Sequence, residues 1–190
     1  MTEGDRPVLG ILLIVGFCVL APLGDAISKL LGATTPVMVI VFARFLAQLV
    51  FLGPLAAAQG RRLSVPRALW RPVLIRTLLH IAGIATMFTA LLYLPLADAI
   101  AIAFVMPLIM LLLGWRFLGE TVGPVRLVAC AVGFVGTLMV IQPSFAQVGW
   151  TALLPLAVAV IFALFMLTTR QIAKDIDPVS LQAVSGALAC

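Results

Sequence analysis

The chain has 190 residues, of which 64% are hydrophobic and 10% charged, with a formal net charge of +5 and a mean hydropathy of +1.25. These values exclude a soluble globular domain, and the lack of a soluble basic surface with interleaved aromatics excludes a nucleic-acid-binding module. The apolar runs are unbroken and lack the period-two alternation of barrel strands, so they specify membrane-spanning helices.

A helix needs about 20 apolar residues to cross the hydrocarbon core, and stretches that fit cover 8–31, 36–58, 72–94, 95–118, 125–141 and 149–169. A seventh begins after Pro178 and reaches Cys190, too few residues to cross. The fold class is therefore an all-α polytopic membrane protein with six complete transmembrane helices and an incomplete seventh, and the sequence reads as a fragment or truncated product.

The first span exceeds the apolar core of a signal peptide and carries Asp25 and Lys29, so it reads as a retained helix. Pro22 and Gly24 precede Asp25. A proline inside a helix deprives the Cys18 carbonyl of its usual partner, which predicts a kink that either lines a site or improves packing. The second span carries Arg44. Asp25 and Arg44 sit on consecutive antiparallel helices, each roughly 10 to 12 Å from the end at the 32–35 hinge, and this matching depth predicts an ion pair that Lys29, at i+4 from Asp25, can share. Intramembrane charges are costly, so Arg44 and Lys29 either contact an anionic or zwitterionic substrate, with Asp25 holding them or taking a proton, or they form a structural join. Lys29 alone reads as snorkelling to the outer interface.

In the third span Arg76, close to the water-facing end, reads as a snorkelling side chain. His80, the single histidine, is either a proton relay or a hydrogen-bonded structural residue. Asp98 suits the positive end of the fourth helix, Pro107 is a second candidate helix break, and Glu120 is placed to pair with Arg116 or Arg126. On the fifth span Ala129, Gly133, Gly136 and Thr137 form a small-residue stripe on which a helix of this chain or of a second copy can pack. Cys18, Cys130 and Cys190 lack metal-ligand spacing, so neither a metal site nor a cofactor is expected.

Ten of the twelve basic residues (Arg6, Arg61, Arg62, Arg67, Arg71, Arg76, Arg116, Arg126, Arg170 and Lys174) fall at the N-terminus or beside the even-numbered hinges. The odd hinges have none. This bias places the N-terminus and the even hinges in the cytoplasm.

The stretch LPLADAIAIAFVMPLIMLLLGWRFLGE at 94–120, followed by RLVACAVGFVGTLMVIQP at 126–143, resembles the EamA repeat of the drug/metabolite transporter superfamily. DAISKLL at 25–31, FARF at 42–45 and ALLYLPLADA at 90–99 add to the resemblance. Family members carry ten helices as two five-helix repeats, the second inverted. The resemblance thus implies a first repeat over 8–143 and the start of a truncated second over 149–190, where FALFMLTTRQIAKDIDP echoes APLGDAISKLLGATTP and Arg170 stands roughly where Lys29 does. It also implies residence in the cell (inner or plasma) membrane, alternating access and a site near the midplane.

The functional reading is a secondary transporter of small metabolites or drug-like solutes, since no GxxxxGK loop is present to drive it with ATP. Its partners are a small-molecule substrate, the bilayer, and either a second copy or the missing repeat. Coupling to protons would rest on Asp25 and His80. Without GxSxG or HExxH, and with one histidine, an enzyme is not expected. The alternative is a non-transporting membrane subunit or an inactive truncated fragment.

Overall fold

In lipid every backbone N–H and C=O must find its partner inside the protein, and helices that satisfy this account for every long element of the chain. A computed structural model describes residues 7–60, 65–119, 123–141, 149–173 and 175–190. The expectations concerning Arg6, Arg61, Arg62, Glu120, Lys174 and the 142–148 hinge, and the side chain of Thr137, lie outside the described residues.

Among the described residues eight α-helices follow in order: α1 Pro7–Leu31, α2 Val37–Ala58, α3 Trp70–Tyr93, α4 Leu96–Ala103, α5 Met106–Leu118, α6 Pro124–Ile141, α7 Leu153–Ile172 and α8 Pro178–Ala189. Among the same residues five stretches are long and apolar enough to cross a membrane: Ile11–Leu31, Val37–Ala58, Arg67–Tyr93, Leu96–Phe117 and Gly149–Ile172. Against the six complete spans expected, α6 qualifies among the described residues only as a shorter apolar helix over Pro124–Gly136. α8, twelve residues long, occupies the place of the incomplete seventh.

The fourth span is two helices. Pro107 has no N–H to offer the Ala103 carbonyl, and the backbone tightens there, with Val105 N–H donating to Ile102 O (3.2 Å) and Leu108 N–H to Val105 O (3.0 Å). Pro22, by contrast, sits within an uninterrupted α1. α8 begins on a complete cap: Asp177 accepts from the Ser180 N–H at 2.9 Å, and Pro178 takes the first helical position.

α3 is the central helix. It packs along α7 and also touches α2 and α8, while α8 lies across α2 and α5 lies on α7. Close approach is bought by glycine. A Cβ on Gly83 of α3 would meet Phe162 Cε2 of α7 at 3.0 Å, and one on Gly186 of α8 would meet the Leu49 backbone nitrogen of α2 at 3.3 Å. Ile40, Val41, Phe45, Ile84, Phe88, Leu91 and Val158 fill the core between these helices. α1 and α6 stand at the periphery, with large apolar side chains such as Leu12, Leu20, Leu30, Val128 and Met139 facing outward, as suits a lipid-facing surface.

The small-residue stripe on α6 also faces away from the bundle. A Cβ at Gly133 or Gly136 would meet nothing within 4 Å among the described residues, so no described helix packs closely on these two positions.

Candidate functional site

The polar side chains inside the spans fall into three groups. In the C-terminal third of α1, Asp25 is half-buried and Arg44 reaches across from α2, its Nη1 lying 3.9 Å from where a Gly24 Cβ would stand. The two charges are close enough to act on each other electrostatically, but they do not close a salt bridge. Matching depth predicts that they meet, and they do lie near one another, with Arg44 exposed.

Lys29 goes elsewhere. Its Nζ donates to the Leu91 and Leu94 carbonyls, at 2.8 and 2.5 Å, at the C-terminal end of α3. Those carbonyls lack helical partners and carry the negative end of the helix dipole, so an ammonium is their natural cap. Lys29 therefore does not share the Asp25 carboxylate with Arg44, contrary to what its i+4 spacing predicted. Nearby, a Cβ on Gly32 would lie 2.9 Å from Leu92 Cδ2, so the α1–α2 turn closes tightly on the same end of α3.

The third group is the most enclosed. Arg76, expected to snorkel, turns inward and is 4% exposed. Its Nε donates to Thr169 Oγ1 of α7 at 2.9 Å, Nη1 to Ser185 Oγ of α8 at 2.7 Å, and Nη2 to Gln182 Oε1 of α8 at 2.8 Å. The guanidinium lies over the Phe165 ring, 4.6 Å from its centroid. Thr169 and Thr77 commit their hydroxyl protons to the Phe165 and Val73 carbonyls, at 2.7 and 2.9 Å, which leaves oxygen lone pairs for neighbours. Ser185 and Thr77 hydroxyls stand 3.2 Å apart.

One turn along α3, His80 is 8% exposed in a box of phenylalanines. It stacks on Phe165 at 4.8 Å and meets the edge of Phe45 at 5.1 Å, with Phe162 at 6.4 Å. Its Nδ1 is enclosed and has no hydrogen-bond partner. The hydrogen-bonded reading of His80 is thus unmet at that nitrogen. The seam is closed on the α2 side by Gln48, whose Nε2 donates to the Gln182 carbonyl at 2.7 Å.

Thr169, Gln182 and Ser185 are the residues that sequence reasoning missed, and Arg76 is the one whose direction it misjudged. The available signal was Arg76, Thr77 and His80 at i, i+1 and i+4, which places an arginine and a histidine on one face of a helix otherwise built for lipid. Asp98 lies buried in the first turn of α4. Among the described residues no cluster of His, Cys, Asp or Glu is arranged to hold a metal, and the three cysteines are free thiols. A cavity of about 270 Å³ opens between α2 and α8, with Leu49, Gly53, Trp70 and Leu188 in its wall, and includes none of the polar residues above.

A family model described as the EamA-like transporter family matches residues 8–142. The chain is 36% identical over 128 residues to a riboflavin transporter of Rhizobium johnstonii, covering 67% of this chain and 41% of that protein. It is 28% identical over 148 residues to a riboflavin transporter of Brucella anthropi, covering 78% and 52% respectively. The chain thus spans about half the length of the curated relatives it matches. A crystal structure with 20% sequence identity superposes with a TM-score of 0.62 over 90% of this chain and 65% of that one, a likeness of fold.

Proposed function

The chain belongs to the EamA-like transporter family, and on that premise we propose that it works as a secondary transporter of a small metabolite, with a ring-bearing solute of the riboflavin type as the cargo to test first. The polar cluster around Arg76 carries this reading. It joins α3 to α7 and α8 through side-chain hydrogen bonds inside an otherwise apolar bundle. Polar networks of this kind are rare in membranes and mark solute or ion pathways. The aromatic side chains of Phe45, Phe162 and Phe165 around His80 suit a planar ring. The names of the two bacterial relatives supply the flavin.

In this reading α1 to α6 form the first repeat and α7 with α8 begin the second, so Arg76 lies where two inverted units meet and where alternating access rearranges contacts. The basic residues beside the even hinges place the N-terminus in the cytoplasm, in the cell membrane. Coupling to protons is assigned to Asp25 and His80.

The test is uptake of labelled riboflavin by proteoliposomes carrying the native protein, against protein-free liposomes. Accumulation above the control supports the flavin reading, and equal counts end it. Uptake that persists unchanged when the proton gradient is collapsed removes proton coupling alone.

A further inference from the structure

At neutral pH Arg76 is a cation, yet all three acceptors that hold it are neutral: a threonine hydroxyl, a serine hydroxyl and a glutamine carbonyl. Among the described residues no carboxylate pairs with it. A guanidinium has five N–H groups, and these bonds engage one on each nitrogen, so each Nη retains one more donor. Besides these neutral polar groups its neighbours are apolar, with Phe165 beneath the guanidinium and Val73 one turn before it. A buried cation in low dielectric without a counter-charge favours any anion able to reach it. The second observation is independent of the first: His80 Nδ1, one turn away on the same helix, is a buried polar atom with nothing bound to it.

We infer that Arg76 is the receptor for an oxyanion, a carboxylate or phosphate carried by the solute, and that His80 Nδ1 accepts a hydrogen bond from a hydroxyl or N–H of the same molecule. The cargo class is then an anionic, ring-bearing metabolite, and a phosphorylated flavin fits better than a neutral one. The identity of the ring rests on the transporter reading above, whereas the oxyanion contact does not. Two other cations inside the spans serve less well, since Lys29 is spent on two carbonyls and Arg44 is exposed beside Asp25. A fork of parallel N–H groups also suits a carboxylate or phosphate better than an ammonium does.

The experiment uses the native protein in phosphatidylcholine nanodiscs, with riboflavin, riboflavin 5′-phosphate and inorganic phosphate as probes. Riboflavin 5′-phosphate is expected to bind about tenfold more tightly than riboflavin, as one added charge-assisted contact predicts. Arg76→Gln should erase that preference, and Arg76→Lys should restore part of it. Because Arg76 ties three helices and the variants can fail to fold, the unmodified protein supplies a second readout. Inorganic phosphate should raise its unfolding midpoint beyond the effect of choline chloride at equal ionic strength.

Equal affinity for the two flavins overturns the inference while leaving riboflavin transport intact. If neither flavin binds, the flavin reading falls, and the phosphate response alone decides for or against the oxyanion receptor. Repeating the series in phosphatidylglycerol nanodiscs separates sources: a preference that vanishes there means that the lipid headgroup supplies the oxyanion.

Discussion

Lys29 and Arg76 are both cations drawn into a lipid-soluble bundle, and the protein treats them in opposite ways. Lys29 is tied to backbone carbonyls at the end of α3, acceptors that stay in place as long as the helix exists. Arg76 is tied to three side chains on α7 and α8, acceptors that can turn away without unwinding anything. The difference separates a permanent cap from a contact that can be exchanged. An ammonium, a compact point charge, suits the first role, and a planar fork suits the second.

Four substitutions sharpen that contrast. Arg76→Ala should have the largest effect, about 3 to 5 kcal/mol of lost stability, because it removes three charge-assisted hydrogen bonds and leaves a cavity under Phe165. Reversible unfolding in mixed micelles reads it, and a loss below about 0.5 kcal/mol would mean that the cluster does not hold α3 to α7 and α8.

Gly186→Val comes next, at about 1 to 3 kcal/mol, since the new side chain meets the backbone of α2, which cannot step aside. Cross-linking between cysteines placed on α2 and α8 should slow in this variant, and an unchanged rate would sink the idea of a glycine-dependent seam.

Lys29→Met should cost about 1 to 2 kcal/mol by leaving the Leu91 and Leu94 carbonyls without their donor. It should leave the discrimination between neutral and anionic flavins untouched. A variant that loses this discrimination would show that the two cations are not separate in role. The smallest effect belongs to Gly133→Ala on α6, where the added methyl meets open space and the unfolding midpoint should stay within about 0.5 kcal/mol of the parent.

The all-helical membrane class and five of the six expected spans were legible because lipid imposes a length and a polarity on every crossing segment. The break in the fourth span was marked by Pro107, whose missing N–H has a local effect. The Arg76 cluster was not legible, because its acceptors lie 93, 106 and 109 residues further along the chain. Helical periodicity speaks for one helix at a time. Nearness to the end of α3 made snorkelling the natural reading, and only the packing of α7 and α8 shows an inward alternative. Asp25 and Arg44 illustrate the converse: depth follows from counting residues, but the direction in which each side chain faces depends on neighbours that counting does not supply.

The long separation between Arg76 and its acceptors also sets a timetable. At about 5 to 20 residues per second, a ribosome that has finished α3 needs roughly 5 to 20 s to produce Thr169, Gln182 and Ser185. Throughout that interval none of the three acceptors that hold the guanidinium in the finished fold exists. The buried charge of an early helix therefore waits on the last helices to be made for its final contacts.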